Sequence, residues 1–303
     1  MISVQLTQKK FWDNDVECYI FLMSENLESA SDLASIEIIE KDYYPHVKEI
    51  LKKHKFSGKH GQCFVLTAMK DQKLIQFMFI GLGKLQNSWH RELELLRRSV
   101  GCVIEKMKSL DIQKALLALP ESKPFGVDSA QLVKQLTIVS FMADYEFIKF
   151  KSDKKDKEWT GTLFIETDPK DNAMFVQALQ QGTIIGQTVN QARNWADLPA
   201  NVMTPSELAK EAKQIADEFN LQCTVFGEQK AKELGMGGFL CVDAGSDQPG
   251  KFVVLEYNAA VKNAPTIALV GKGVCFDTGG VSLKPSDSMH GMKFDMTGAA
   301  AVI

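Results

Sequence analysis

Apolar residues recur along this chain in two patterns, which predict strands that alternate with amphipathic helices. Short apolar runs bounded by Gly, Pro, Asp or Lys are typical of buried strands, and apolar residues at every third or fourth position indicate helices. In the first half, strands are predicted over Cys18–Met23, Gln62–Ala68, Leu74–Ile80 and Ala115–Leu119, and helices after Ser88 and over Ser129–Ala143. This alternation implies an α/β fold with a mixed or parallel sheet covered on both faces.

The alternation continues through the second half of the chain. The pattern predicts helices from about Asn172 to Asn194, from Thr204 to Phe219 and over Gln229–Leu234, and strands over Thr160–Glu166, Gln222–Phe226, Lys251–Tyr257 and Thr266–Val270. Thr204 is followed by Pro205 and then by Glu207, which together are typical of a capping box at a helix start. The second half is therefore also expected to be α/β.

A polar run near residue 150 marks the predicted junction between two domains. Residues 149–158 contain almost no apolar side chains, and 303 residues are enough for two domains of ordinary size. We expect an amino-terminal α/β domain over residues 1–158 and a second α/β domain over residues 159–303, with a boundary that can lie as far along as about residue 195. Acidic residues interrupt the basic ones in this run, which favours a solvated linker over a nucleic-acid patch.

The composition of the chain limits the kinds of partner and the cellular location that we expect. The 35 basic and 38 acidic residues leave a net charge of −3, so no nucleic-acid partner is expected. No apolar run approaches the ~20 residues of a membrane span, and no apolar signal segment follows the first residues. The six cysteines contain no C-x-x-C pair, which favours reduced thiols over a disulfide framework. We therefore expect a cytoplasmic protein without a membrane partner.

Candidate chemistry is concentrated after the apolar run Thr266–Val270. Lys272, Asp277, Lys284 and Asp295 follow that run with glycines between them, and sites collect at the carboxyl ends of strands in open α/β sheets. A buried lysine there must be paired or lose its proton, because an unpaired buried cation is costly. A neutral amine and two carboxylates suit a hard divalent cation. A protonated Lys284 can face negative charge on a substrate oxygen.

Each of these residues also has a purely structural interpretation. A single Lys–Asp pair is more often a surface ion pair, and Gly279–Gly280 is more often a turn, so it is the combination that indicates a site. His290 is a rival ligand, but no second His or Cys lies at ligand spacing, and a loop position is expected. Cys275 is expected in the core, because a thiolate would favour a softer zinc site.

Several motifs in this region resemble the leucine aminopeptidase family of two-metal exopeptidases. They are Val270-Gly271-Lys272-Gly273, Phe276-Asp277-Thr278-Gly279-Gly280, Ser282-Leu283-Lys284-Pro285 and Met292-Lys293-Phe294-Asp295-Met296-Thr297-Gly298-Ala299-Ala300. The segments Leu198–Pro205 and Gly235–Gly238 are also similar, so the resemblance covers about residues 172–303. Before that, the similarity is architectural, to macro domains. The resemblance implies a macro-like amino-terminal α/β domain followed by an α/β metallo-aminopeptidase catalytic domain.

The resemblance also implies a role for each candidate residue. Lys272 and Asp295 would bind the tighter of two Zn or Mn ions, Asp277 would bridge both ions, Lys284 would be catalytic, and Met292 would line the pocket for the first substrate side chain. It further implies leucine-preferring release of amino-terminal residues from peptides by a two-metal activated water, in a homohexamer.

The chain departs from the family pattern near its last residue. Family members continue with Asn-Thr-Asp-Ala-Glu-Gly-Arg, which supplies two further metal-binding carboxylates and a catalytic arginine, whereas this sequence stops at Ile303. With an incomplete catalytic domain, we expect one weakly held ion at most and impaired activity. The alternative is a non-catalytic binding or assembly protein built on the aminopeptidase scaffold.

Overall fold

The computed structural model describes residues 1–27, 30–70, 72–86, 88–152, 158–257 and 265–303. The chain divides into two units, Met1–Thr188 and Val189–Ile303. This division lies between residue 158 and about residue 195, the range in which the sequence places the domain boundary. The exact position of that boundary stays a prediction. Residues 153–157 of the polar run lie outside the described residues.

One mixed sheet organises the first unit. Its strands are β1 (Ile2–Thr7), β2 (Cys18–Ser24), β3 (Cys63–Lys70), β4 (Lys73–Gly83), β5 (Lys114–Ala118) and β6 (Gly161–Glu166). Their spatial order is β1-β6-β5-β2-β4-β3, with β3 antiparallel to β4 and the remaining pairs parallel. The predicted strand Thr160–Glu166 therefore belongs to the first unit, where it lies between β1 and β5.

Helices cover both faces of this sheet. They are α1 (Ala30–Asp42), α2 (Val47–Lys53), α3 (Trp89–Ser109), α4 (Ser129–Asp144) and the first part of α5 (Asn172–Asp197). Cys18 and Ile20 of β2 face the core formed with α3 and α4, whereas Tyr19 and Phe21 face the core formed with α1 and α2. Because both faces of β2 are buried, its sequence is a continuous apolar run, and the prediction of a mixed α/β sheet is confirmed.

The second unit combines a two-stranded sheet with one 15-residue helix and several short helices. Strands β7 (Gln222–Phe226) and β8 (Phe252–Glu256) pair antiparallel. The helices are α6 (Pro205–Phe219), α7 (Glu228–Glu233), α8 (Gly237–Asp243), α9 (Ser286–Met289), a 3₁₀ helix (His290–Met296) and α10 (Thr297–Val302). The Oγ1 atom of Thr204 accepts a hydrogen bond from the Glu207 amide at 3.3 Å, so the predicted cap at the start of α6 is confirmed.

The predicted buried strand Thr266–Val270 is wrong. No strand is formed over described residues 265–270, and Ile267, Leu269 and Val270 are 81%, 73% and 92% exposed. An apolar run becomes a buried strand only when a neighbouring strand pairs with it and side chains cover its faces. None of the strand pairings among the described residues includes this segment.

Two observations concern the predictions about membrane spans and disulfide bonds. Among the described residues, no helix has the length and apolar character that a membrane crossing needs. All six cysteines are free.

Candidate metal centre

The four ionic residues that the sequence singles out form two separate ion pairs. The Nζ atom of Lys272 lies 2.9 Å from Oδ2 of Asp295. The Nζ atom of Lys284 lies 2.8 Å from Oδ2 of Asp277 and 3.0 Å from the sulfur of Met292. The candidate residues therefore form two contact groups, Lys272–Asp295 and Asp277–Lys284–Met292.

A tight turn places Lys284 beside Asp277. Gly279 has φ +90°, a left-handed conformation that favours glycine, and a side chain there would place Cβ 2.5 Å from the Ser282 carbonyl oxygen. The Gly279 amide donates a hydrogen bond to Oδ1 of Asp277 at 2.8 Å, and the Lys284 amide donates to the Thr278 carbonyl at 2.9 Å. These bonds close the loop, so that Lys284 returns to the aspartate seven residues before it.

A close backbone contact places Lys272 beside Asp295. A Cβ atom on Gly271 would overlap the carbonyl oxygen of Gly298, so only glycine allows the two segments to approach this closely. The Ala299 amide donates a hydrogen bond to the Lys272 carbonyl at 2.8 Å. The start of α10 is thereby fixed against residues 271–272, and Asp295 lies two residues before that helix.

The ion pairs shift the pKa values of Lys272 and Asp277. The hydrogen bond and charge of Asp295 raise the pKa of Lys272, so its amine stays protonated. The hydrogen bond from Lys284, followed by the Gly279 amide, lowers the pKa of Asp277. The expected buried, apolar setting is wrong, because the Lys272 side chain is 60% exposed. Of the two outcomes predicted for this lysine, pairing is the one observed.

The donor set fits a divalent cation in part. Asp277 and Asp295 offer carboxylate oxygens, and Lys272 offers a third donor once it loses its proton. Within the described parts of the chain, no group of three or more His, Cys, Asp and Glu side chains is placed to hold a metal ion. A site built from these residues therefore depends on the lysine as a ligand.

The two rival ligands occupy different surroundings. His290 is exposed and begins the 3₁₀ helix, so it does not lie in the expected loop. Cys275 is half-buried, and burial raises the pKa of its thiol to about 11, which disfavours the thiolate that metal binding needs.

Lys293 makes a contact that the sequence did not predict. Its Nζ atom donates a hydrogen bond to the main-chain oxygen of Asp197 at 2.7 Å. The sequence signal that could have indicated a role for Lys293 is its position between Met292 and Asp295, two residues that the sequence does assign to the site.

The chain consists of two α/β units, and the second unit carries the paired lysines and aspartates. Two models of one protein family match these parts of the chain. The N-terminal domain of the cytosol aminopeptidase family matches residues 20–154, and the catalytic domain of that family matches residues 190–303. The chain belongs to the cytosol aminopeptidase family. This finding confirms the resemblance to leucine aminopeptidases and the order of the two α/β domains.

Individual relatives agree with this assignment. A cytosol aminopeptidase of Pseudomonas aeruginosa is 37% identical over 259 residues, which cover 84% of this chain and 51% of that protein. A probable cytosol aminopeptidase of Roseiflexus castenholzii is 33% identical over 285 residues, covering 91% of this chain and 56% of that protein. The chain thus spans about half the length of the curated relatives it matches.

Solved structures share the fold. A tomato leucine aminopeptidase mutant matches with a TM-score of 0.78 and 23% identity, over 99% of this chain and 57% of that one. A bottromycin maturation enzyme in complex with Mn matches with a TM-score of 0.71 and 23% identity, over 95% of this chain and 54% of that one. At this identity the likeness shows the fold alone.

Proposed function

We propose that this protein is a metal-dependent aminopeptidase that releases amino-terminal residues, preferably leucine, from peptides. The observation that carries this proposal is the pairing of Lys272 with Asp295 at 2.9 Å and of Lys284 with Asp277 at 2.8 Å, within the residues that match the family's catalytic domain. Relatives named cytosol aminopeptidases support the reaction class.

Lys272, Asp277 and Asp295 are the proposed ligands of a Zn or Mn ion. A bound divalent ion would supply a Lewis acid and a nucleophile at neutral pH. To act as a ligand, Lys272 must release the proton that its pair with Asp295 stabilises. These three side chains suffice for one weakly held ion, and the second ion of the family mechanism needs further carboxylates. The structural neighbour in complex with Mn supports a divalent metal.

Lys284 and Met292 are proposed to contact the substrate. The Lys284 side chain is 29% exposed, and its Nζ atom is held by Oδ2 of Asp277 while Oδ1 of that aspartate accepts the Gly279 amide. A protonated amine fixed in this way can stabilise negative charge on the peptide carbonyl oxygen. The thioether of Met292, 3.0 Å from the same amine, supplies an apolar surface for the first substrate side chain.

We also propose that the protein is cytoplasmic and assembles as a homohexamer. The description of its relatives as cytosol aminopeptidases supports the location. The hexamer follows from the resemblance to the family.

Peptide hydrolysis by the protein expressed from its complete coding sequence tests the proposed reaction. With added Mn²⁺ or Zn²⁺, we expect release of leucine from a leucyl tripeptide, no release from the same peptide with an acetylated amino terminus, and loss of activity in a chelator. Activity that survives the chelator would contradict the proposal. Absence of hydrolysis with either metal would favour the non-catalytic scaffold protein.

A further inference from the structure

In the 3₁₀ helix His290–Met296, side chains three residues apart lie above one another, because such a helix has about three residues per turn. We call each such set of side chains a column. Met292 and Asp295, three residues apart, share one column. Both members of this column contact the candidate site, since the Met292 sulfur lies 3.0 Å from Lys284 and the Asp295 carboxylate 2.9 Å from Lys272. One turn of helix therefore presents a pocket residue and a proposed metal ligand together.

The neighbouring column anchors this helix. It contains His290, Lys293 and Met296. His290 is exposed, whereas Met296 is 1% exposed, so Lys293 and Met296 are the anchoring members. The Nζ atom of Lys293 lies 2.7 Å from the main-chain oxygen of Asp197 and 3.9 Å from its Oδ1. The two side chains of this pair are 29% and 27% exposed, so solvent screens their interaction less than it would a fully exposed pair. The remaining column includes Phe294, which is 44% exposed.

The end of α5 is a favourable place for the Lys293 cation. Asp197 is the last residue of this 26-residue helix. Carbonyl groups in the last turn of a helix lack partners within the helix, and the helix dipole adds partial negative charge there. The Asp197 carboxylate adds a full negative charge. A lysine that donates to the Asp197 carbonyl therefore satisfies an orphan acceptor and balances charge at the same point.

We propose that Lys293 is a positioning residue for the metal site. By fixing His290–Met296 to the end of α5, it holds Asp295 beside Lys272 and Met292 beside Lys284. The inference rests on the proposed function, because it concerns the same site. Loss of a residue that orients metal ligands typically weakens metal binding by about 10–100-fold, and we expect an effect in that range.

The test compares Lys293→Met with Lys293→Arg in the protein expressed from its complete coding sequence. Methionine keeps most of the apolar stem and removes the charge, whereas arginine keeps a cation that can donate to the Asp197 carbonyl. Lys230→Met is the matched control, because Lys230 is 55% exposed and pairs with Glu233 on α7. Mn²⁺ affinity is measured by calorimetry, and amide hydrogen exchange of residues 290–296 is measured without metal.

Lys293→Met is expected to raise the Kd for Mn²⁺ at least about tenfold and to speed exchange within residues 290–296, whereas Lys293→Arg and Lys230→Met behave like the wild type. Equal Mn²⁺ affinity in Lys293→Met and wild type would overturn the inference. Faster exchange throughout residues 189–303 would also overturn it, because Lys293 would then support the whole unit. If the wild type binds no Mn²⁺, the proposed function fails, and the exchange comparison alone decides whether Lys293 anchors the segment.

Discussion

Replacing Lys284 with methionine is expected to lower kcat for leucyl-peptide hydrolysis by about 10²–10³-fold, the usual cost of removing one group that stabilises a developing oxyanion. The amine that is lost lies 2.8 Å from Asp277, in the part of the site proposed to face the substrate carbonyl. Methionine keeps most of the side-chain volume, so the pocket stays filled. Steady-state kinetics at saturating Mn²⁺ measure kcat and KM separately.

Mn²⁺ binding should persist in Lys284→Met, because Lys284 is not a proposed ligand. Lys213→Met, at an exposed position of α6, is the control for loss of a surface lysine. A rise in KM with an unchanged kcat would contradict the proposed role, since it would place Lys284 in ground-state binding only.

Replacing Phe77 with alanine is expected to destabilise the first unit by about 3–5 kcal/mol, the range for truncation of a fully buried phenylalanine. Phe77 lies in β4, is 0% exposed, and contributes to the core between the sheet and α1 and α2. Its ring centroid lies 5.3 Å from that of Tyr43 and 6.1 Å from that of Tyr19. Alanine would leave a cavity between these rings.

Urea unfolding followed by near-UV circular dichroism measures this loss, because the aromatic cluster of the first unit contributes to the signal. Phe150→Ala is the matched control, since that ring is 58% exposed and its removal should change stability by less than about 0.5 kcal/mol. Similar unfolding midpoints for the two variants would show that Phe77 is not part of a close-packed core.

Strands that are buried on both faces were predicted from their continuous apolar runs. β2 is a continuous apolar run because its side chains alternate between two cores. β1 was not predicted, although its Ile2 and Val4 are buried, because they alternate with Ser3 and Gln5, which are exposed at the edge of the sheet. Such alternation over a few residues gives a weak signal until the partner strand is known.

The helix α1 was missed for a different reason. Ile36 and Ile39 are buried, whereas Leu33 and Ile38 are each 37% exposed, so apolar residues are distributed around the helix. A helix without a clear apolar stripe has no periodic pattern for the sequence to show.

The sequence indicated the candidate residues but not their pairings, and their role as a site stays a prediction. The motif spacing indicated Lys272, Asp277, Lys284 and Asp295, and the structure places them in two ion pairs. Which lysine pairs with which aspartate depends on two features. The loop closed by Gly279 is local, whereas the close backbone approach of Gly271 to Gly298 is a tertiary feature that the sequence does not show. The error over residues 266–270 has the same origin, since burial of a strand depends on its neighbours.

Mn²⁺ titration of the wild-type protein and of Asp277→Asn tests most directly whether Lys272, Asp277 and Asp295 hold a divalent cation. Asparagine keeps the shape of the side chain and removes the charge that a hard cation requires. Asp287→Asn, an exposed position in α9, is the control. We expect saturable binding to the wild type and to Asp287→Asn, and loss of that binding in Asp277→Asn. Unchanged affinity in Asp277→Asn, or no binding to the wild type, would contradict the assignment of the metal site.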